Sequence, residues 1–167
     1  MRLLRALALL ALLGVAVYVG YRFATRSAST AIGDTITVYY CKLDGTTLEP
    51  WTVTLGAARD LRSVAFYATA QVLAGPSSGT DAVRFPAGTV VRSVDVSAKT
   101  ATVDLSGAIE KSEGGSFAES GEFKALVWTL TALPGIDAVQ VRIDGRVVPT
   151  LPGGHLELDE PLTRSSW

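Results

Sequence analysis

The chain has 167 residues, 48% of them apolar, which suits one domain of ordinary size with a packed core and argues against disorder throughout. Four of the 15 basic residues and none of the 16 acidic residues lie in residues 1–27, so the remainder has 11 basic and 16 acidic groups, a net charge of −5. An acidic body of this kind argues against nucleic acid, and against an anionic membrane surface, as its binding partner, since both require clustered Lys and Arg.

An apolar segment comes first in the chain. Residues 6–21 are uncharged, with two arginines before them and two after. About 18 apolar residues make a membrane span, and flanking arginines can extend their charged ends to the membrane surface. We therefore interpret residues 1–27 as a single N-terminal membrane anchor, with a signal segment cleaved near Ser27-Ala28-Ser29 as the alternative. The first interpretation locates the protein at the cell membrane with its domain extracytoplasmic, and the second predicts secretion.

The next stretch is predicted to be a linker followed by two strands. Residues 28–35 are rich in Ser, Thr and Ala, as linkers often are. Residues 36–43 have the β-branched and aromatic content of a strand, Asp44-Gly45 indicates a turn, and residues 51–55 are a candidate second strand. Cys41, the only cysteine in the chain, lies in the first of these strands and is interpreted as a small buried apolar residue.

A helix and a hairpin follow. Residues 58–73 have an apolar stripe with helical spacing, and Gly75-Pro76 ends the pattern. Residues 91–96 and 101–105 alternate apolar and polar residues on either side of a polar turn, which predicts a hairpin with one buried face. Residues 110–116 are polar and Gly-rich and are predicted to form a loop.

A second helix and further strands complete the pattern. Residues 119–133 have a second apolar stripe that ends at Pro134-Gly135, and residues 139–144 alternate as a strand. Residues 155–158 are a candidate last strand. This order of elements predicts an α+β fold: a two-layer sandwich in which a small mixed or antiparallel sheet has two helices on one face, a β-α-β-β-α-β core with extra short strands.

Several short motifs, taken together, resemble one domain family. They are Leu73-Ala74-Gly75-Pro76, Phe85-Pro86-Ala87-Gly88-Thr89, Val91-Arg92-Ser93-Val94, Ala101-Thr102-Val103-Asp104-Leu105-Ser106, Leu126-Val127-Trp128-Thr129-Leu130-Thr131, Val139-Gln140-Val141-Arg142-Ile143-Asp144-Gly145 and Gly154-His155-Leu156-Glu157-Leu158. In this order and spacing they resemble the sporulation and spore germination domain, the GerMN family, over residues 36–164. The resemblance implies an extracytoplasmic, membrane-tethered, non-catalytic domain similar to the ring-building folds of secretion and sporulation channels.

No catalytic, cofactor-binding or metal-binding residue is assigned, and the chain is predicted not to be an enzyme. His155 is the only histidine and Cys41 the only cysteine, so a zinc site has too few of its usual ligands. Asp95 and Asp104 lie on the polar side of the hairpin and are interpreted as solvated. Four glutamates lie around the Gly-rich loop: Glu110, Glu113, Glu119 and Glu122. A calcium site is not assigned to them, because their spacing is not that of an EF-hand.

The predicted function is that of an interaction or scaffold domain that helps to assemble or stabilise a cell-envelope complex. Its predicted partners are envelope proteins or a second copy of the chain, with the membrane reached through the N-terminal segment and no role for nucleic acid. The alternative is a module that binds peptidoglycan or another glycan through exposed aromatic residues, for which Trp51, Trp128 and Trp167 are candidates. The functional surface is expected around Arg92, Asp95, Trp128 and Arg142.

Overall fold

A computed structural model of the chain describes residues 32–57, 60–77, 79–111 and 115–167. The predicted anchor and residues 28–31, half of the predicted linker, lie outside these residues. Ile32–Trp167 form one compact unit. In the described part of the chain, neither α-helix combines the length and the apolar character that a membrane crossing requires.

The first sheet is an antiparallel pair, β1 (Thr35–Cys41) and β2 (Leu48–Thr54). Ile36, Val38 and Tyr40 are buried on one face of β1. The turn between the strands depends on Asp44, whose carboxylate accepts the backbone N–H groups of Thr46 and Thr47, both at 2.8 Å, and the Thr47 hydroxyl at 2.6 Å. These hydrogen bonds hold the pKa of Asp44 well below its usual value.

The first helix, α1, spans Leu61–Ala74 and begins three residues later than its apolar pattern suggests. Asp60 determines the start, because its side chain accepts the backbone N–H of Ser63 at 2.9 Å as a helix N-cap. Gly75 ends the helix at a φ of 75°. The predicted apolar stripe faces the core: its buried members are Val64, Ala65, Ala68 and Val72.

The second sheet has three strands in the order β3 (Val91–Ser97), β4 (Thr100–Leu105) and β5 (Ala138–Ile143). β3 and β4 are antiparallel, and β4 and β5 are parallel. The α+β fold class is thus as predicted, but the strands divide between two sheets. At β1, the Tyr39 N–H donates to the Thr129 side chain of the second helix at 2.9 Å.

The turn between β3 and β4 contains two residues with positive φ, Ala98 at 47° and Lys99 at 65°. This is the type I′ pattern, which glycine adopts with less strain than alanine. We expect Ala98→Gly to raise the free energy of unfolding by about 1 kcal/mol. The matched control is Ala132→Gly, because Ala132 is exposed in a turn but does not have a positive φ. This variant should lower the free energy of unfolding by about 0.5–1 kcal/mol. Denaturant unfolding of both variants measures the difference, and equal losses would contradict the proposed strain at Ala98.

The second helix, α2, spans Gly115–Leu130, so both of its ends come earlier than predicted. It begins inside the Gly-rich segment that was expected to be a loop, and a turn with Leu133 buried follows it. The predicted last strand at residues 155–158 is wrong. Instead, Leu162 bridges Val139 of β5 through reciprocal backbone hydrogen bonds of 2.8 Å.

The core lies between the helices and the sheets. α1 packs against β3 and β1, and α2 packs against β1, β5 and α1. The centre is occupied by Phe123, which is fully buried and meets Phe85 edge to face, with ring centroids 6.2 Å apart. The next largest fully buried side chains of the core are Leu105, Ile109, Leu126, Leu130 and Leu158.

Candidate interaction surface

A groove runs along the open edge of β3, beside the first turns of α1. β3 is an edge strand. Among the described residues, no backbone hydrogen bond outside the ladder with β4 reaches Val91–Ser97. The groove has a volume of about 350 Å³ and is lined by Arg62, Ser63, Phe66, Arg92, Ser93, Val94 and Asp95. An edge strand with unpaired backbone groups is a template for an incoming extended segment.

The groove has an apolar element and a polar rim. Phe66 is 40% exposed on α1, although phenylalanine is usually buried, and Val94 is buried on the strand. Arg62 and Asp95 form an ion pair of 2.7 Å across the rim, with both side chains mostly exposed. Such an exposed pair contributes little stability and separates easily when a partner approaches.

Arg92 has a structural role in addition to lining the groove. Its guanidinium lies 3.5 Å from the Asp104 carboxylate and also pairs with Asp144, which follows β5. Asp104 in turn accepts the backbone N–H of Gly145 at 2.7 Å. The predicted surface around Arg92 and Asp95 is thus brought together at one edge, whereas Arg142 is exposed on β5 and forms no part of the groove lining.

The tryptophans named for glycan binding are engaged with other side chains. Trp128 and Trp167 meet edge to face with centroids 5.6 Å apart, and Lys124 and Arg164 lie over the Trp128 ring at 5.5 and 5.6 Å. Trp51 packs edge-on against Tyr40 at 5.8 Å. Each of these three indoles is half-buried and contacts another aromatic ring.

The acidic residues are dispersed. Asp95 and Asp104 hold the ion pairs described above, Glu110 is exposed, and Glu113 lies outside the described residues. Glu119 and Glu122, by contrast, are only 2% exposed each, which the sequence analysis did not predict. Helical spacing could have revealed this, since Glu119 and Glu122 precede Phe123 and Leu126 on the inward face of α2. Within residues 32–57, 60–77, 79–111 and 115–167, no three His, Cys, Asp or Glu side chains gather in a way that could hold a metal ion.

Cys41 and His155 were the remaining residues considered for chemistry. The Cys41 thiol is buried, and burial raises its pKa, which keeps it protonated and unreactive at neutral pH. The His155 side chain is exposed, and its backbone N–H donates to the Glu119 carboxylate at 2.9 Å. Neither residue has a described partner suited to nucleophilic or acid–base catalysis.

Comparisons with known proteins give one matching family and several similar structures. The family described as sporulation and spore germination (Germane) matches residues 37–149. A search of the curated proteins gives no match. The tandem GerMN domains of the sporulation protein GerM from Bacillus subtilis match with a TM-score of 0.64 and 26% identity, over 80% of this chain and 47% of that one. The chain therefore spans about half the length of that tandem structure.

Two shorter structures cover the same region. The first GerMN domain of GerM from Bacillus subtilis matches with a TM-score of 0.62 and 25% identity, over 78% of this chain and 98% of that domain. A protein from Clostridium perfringens described as a lipoprotein matches with a TM-score of 0.55 and 19% identity, over 81% of this chain and 89% of that one. At this identity the last match supports the fold alone.

Proposed function

This chain belongs to the sporulation and spore germination (Germane) family, and from that premise we propose that it is a non-catalytic interaction domain that helps to assemble or stabilise a complex of the cell envelope. Residues 1–27 hold the domain at the membrane on its extracytoplasmic side. The partner is another envelope protein or a second copy of this chain, and it binds at the groove beside β3.

The observation that carries this proposal is the combination of an open strand edge and an exposed aromatic side chain in one groove. An incoming segment gains backbone hydrogen bonds from β3 and apolar contact with Phe66. Aromatic residues at the centre of a contact surface often contribute a large share of binding energy. The acidic net charge of the body argues for a protein partner rather than nucleic acid.

Substitution of Phe66 tests the groove directly. In intact cells, we expect Phe66→Asp to reduce the yield of chemically crosslinked complex at least tenfold, because a charged group replaces the apolar contact. Phe117→Asp is the matched control, since Phe117 is 68% exposed on the other helix and lies outside the groove. Crosslinking followed by immunoprecipitation, with circular dichroism to verify folding, gives the comparison.

The test variant and its control distinguish the possible outcomes. Loss of complex in Phe66→Asp with retention in Phe117→Asp supports the groove, and the mass of the crosslinked species distinguishes a second copy from another protein. Equal yields from wild type and both variants would refute the groove as the binding surface. Co-sedimentation of the chain with cell-wall sacculi that Phe66→Asp leaves unchanged would favour the peptidoglycan alternative instead.

The membrane anchor has a separate test. We expect the mature protein to retain residues 1–27, because the uncharged stretch with its flanking arginines is longer than a typical signal-peptide core. Mass measurement of the protein isolated from cell membranes determines its first residue. A mature N-terminus near residues 28–31 would show cleavage and would replace anchoring with secretion.

A further inference from the structure

Two carboxylates are buried one turn apart on α2 and lack the partners that buried charges require. Glu119 and Glu122 are each 2% exposed. One oxygen of each, Oε1 of Glu119 and Oε2 of Glu122, has no hydrogen-bond partner among the described residues. Residues at this helical spacing are neighbours, about 5–6 Å apart at Cβ. Two negative charges so placed in an apolar interior repel each other and lose their hydration, which makes double ionisation costly.

One of the two carboxylates holds the C-terminal part of the chain, here named the tail loop (residues 151–158). The loop ends are buried through Leu151 and Leu158. Its middle meets α2 at Glu119, where Oε2 accepts the His155 N–H at 2.9 Å. Gly154 lies so close to the same carboxylate that a Cβ at this position would come within 2.7 Å of both of its oxygens. Any rearrangement of the Glu119 side chain therefore disturbs the middle of the tail loop.

A small cavity beside Glu119 suits water better than a metal ion. Its volume is about 20 Å³, enough for one water molecule, and it is lined by Gly115, Glu119, Leu151, Pro152, Gly153 and Gly154. Gly115 is the first residue of α2, and the N-terminal end of a helix has a partial positive charge that disfavours a cation. A water molecule can accept from the helix N–H groups and donate to the unpartnered oxygen of Glu119.

We propose that Glu122 holds a proton beside the negative charge of Glu119, and that loss of this proton releases the middle of the tail loop from α2. With one proton bound, the pair has a single negative charge, which the His155 N–H stabilises. When the proton leaves, two buried negative charges face each other. Moving Glu119 toward solvent relieves the repulsion, and this breaks its hydrogen bond to the tail loop.

The charges around the pair are consistent with this assignment. Burial, and secondarily the negative charge of Glu119, raise the pKa of Glu122 from 4.5 to about 7. On the strand side of α2, Cys41 packs near Gly121 as a neutral thiol. In the tail loop, the His155 and Glu157 side chains are exposed to solvent. Lys124, on the same helix, is directed toward Thr46 and the Trp128 ring.

The direction of the pH effect follows from proton binding. We call the state in which the tail loop is bound to α2 the closed state. The pKa of Glu122 is higher in the closed state than in an open or unfolded one, so the closed state binds more protons between pH 4.5 and about 7. This stabilisation of the closed state is complete below pH 4.5 and is lost as the pH rises through about 7. We expect protection of the His155 amide from hydrogen exchange, corrected for the intrinsic exchange rate, to fall about tenfold between pH 6 and pH 8.

Nuclear magnetic resonance of the full chain in a non-ionic detergent tests the proposal with two readouts. The first is the carboxyl carbon shift of each glutamate against pH, for which we expect Glu122 to titrate near pH 7. The second is exchange of the His155 amide. Glu122→Gln should abolish the pH dependence of this exchange while the amide stays protected. Glu119→Gln should shift the Glu122 midpoint to lower pH, because it removes the neighbouring negative charge.

Three results would overturn the proposal. The first is a Glu122 midpoint close to 4.5, and the second is His155 protection that does not change between pH 6 and pH 8. The third is a response to calcium: if millimolar CaCl₂ shifts both carboxyl carbons and raises His155 protection, the pair is a cation site and Glu122 does not hold the proposed proton. None of these results depends on the proposed partner groove.

Discussion

Replacing Phe123 by alanine is expected to lower the free energy of unfolding by about 3–5 kcal/mol, the largest effect of any single substitution considered for this chain. Phe123 is fully buried at the centre of the core. Its ring meets Phe85 edge to face, an arrangement that contributes beyond simple burial. Truncation loses this contact and leaves a cavity that the surrounding helix and strands can fill only in part.

Phe117→Ala is the matched control for this prediction. Phe117 is on the same helix, but it is 68% exposed, so its truncation should change the free energy of unfolding by no more than about 0.5 kcal/mol. Urea unfolding of the full chain in detergent, followed by tryptophan fluorescence, measures both variants. Losses of similar size in Phe123→Ala and Phe117→Ala would contradict the assignment of Phe123 to the core.

Replacing Trp167 by alanine is expected to cost about 2–3 kcal/mol, the second largest effect. Trp167 is half-buried, meets Trp128 edge to face at 5.6 Å, and donates its indole N–H to the Ser120 hydroxyl at 2.9 Å. The preceding turn is held by Thr163 and Ser166 in a capping box. Removing the indole thus loses both the ring contact with Trp128 and the hydrogen bond to Ser120.

Trp167→Phe separates the two contributions of this side chain. Phenylalanine retains a ring against Trp128 but loses the hydrogen bond to Ser120, so we expect a loss of only about 1 kcal/mol. The same urea unfolding experiment provides the comparison. If Trp167→Ala unfolds at the wild-type midpoint, the contact of Trp167 with α2 contributes nothing to stability and our account of the C-terminal residues is wrong.

Local patterns in the sequence predicted the α+β class and most of the elements. Alternation in β4 and β5 is a reliable signal, because one face of each strand is buried. The apolar stripe of α1 was equally reliable, because its residues pack on one side only. The family resemblance could be predicted as well, since its motifs lie at turns and core positions, where Gly75 permits a positive φ and Pro86 fixes φ.

Features that depend on contacts between distant residues could not be predicted. The division into two sheets involves the hydrogen bond from Tyr39 to Thr129, residues 90 positions apart. The surroundings of Glu119 depend on the tail loop, whose His155 N–H donates to its carboxylate from 36 positions away. The groove arises only because α1 lies beside the edge of β3, and the order of strands is not evident from the chain alone.

The most direct test of the proposed function is photo-crosslinking from the groove in living cells. A photoreactive residue in place of Ser93, in the groove lining, should give a discrete crosslinked species in the membrane fraction. The same residue in place of Glu157, which is exposed on the tail loop, should give little or none. Our account predicts that Phe66→Asp abolishes the Ser93 product. A Ser93 product that is absent, or that matches the Glu157 product in identity and yield, would contradict it.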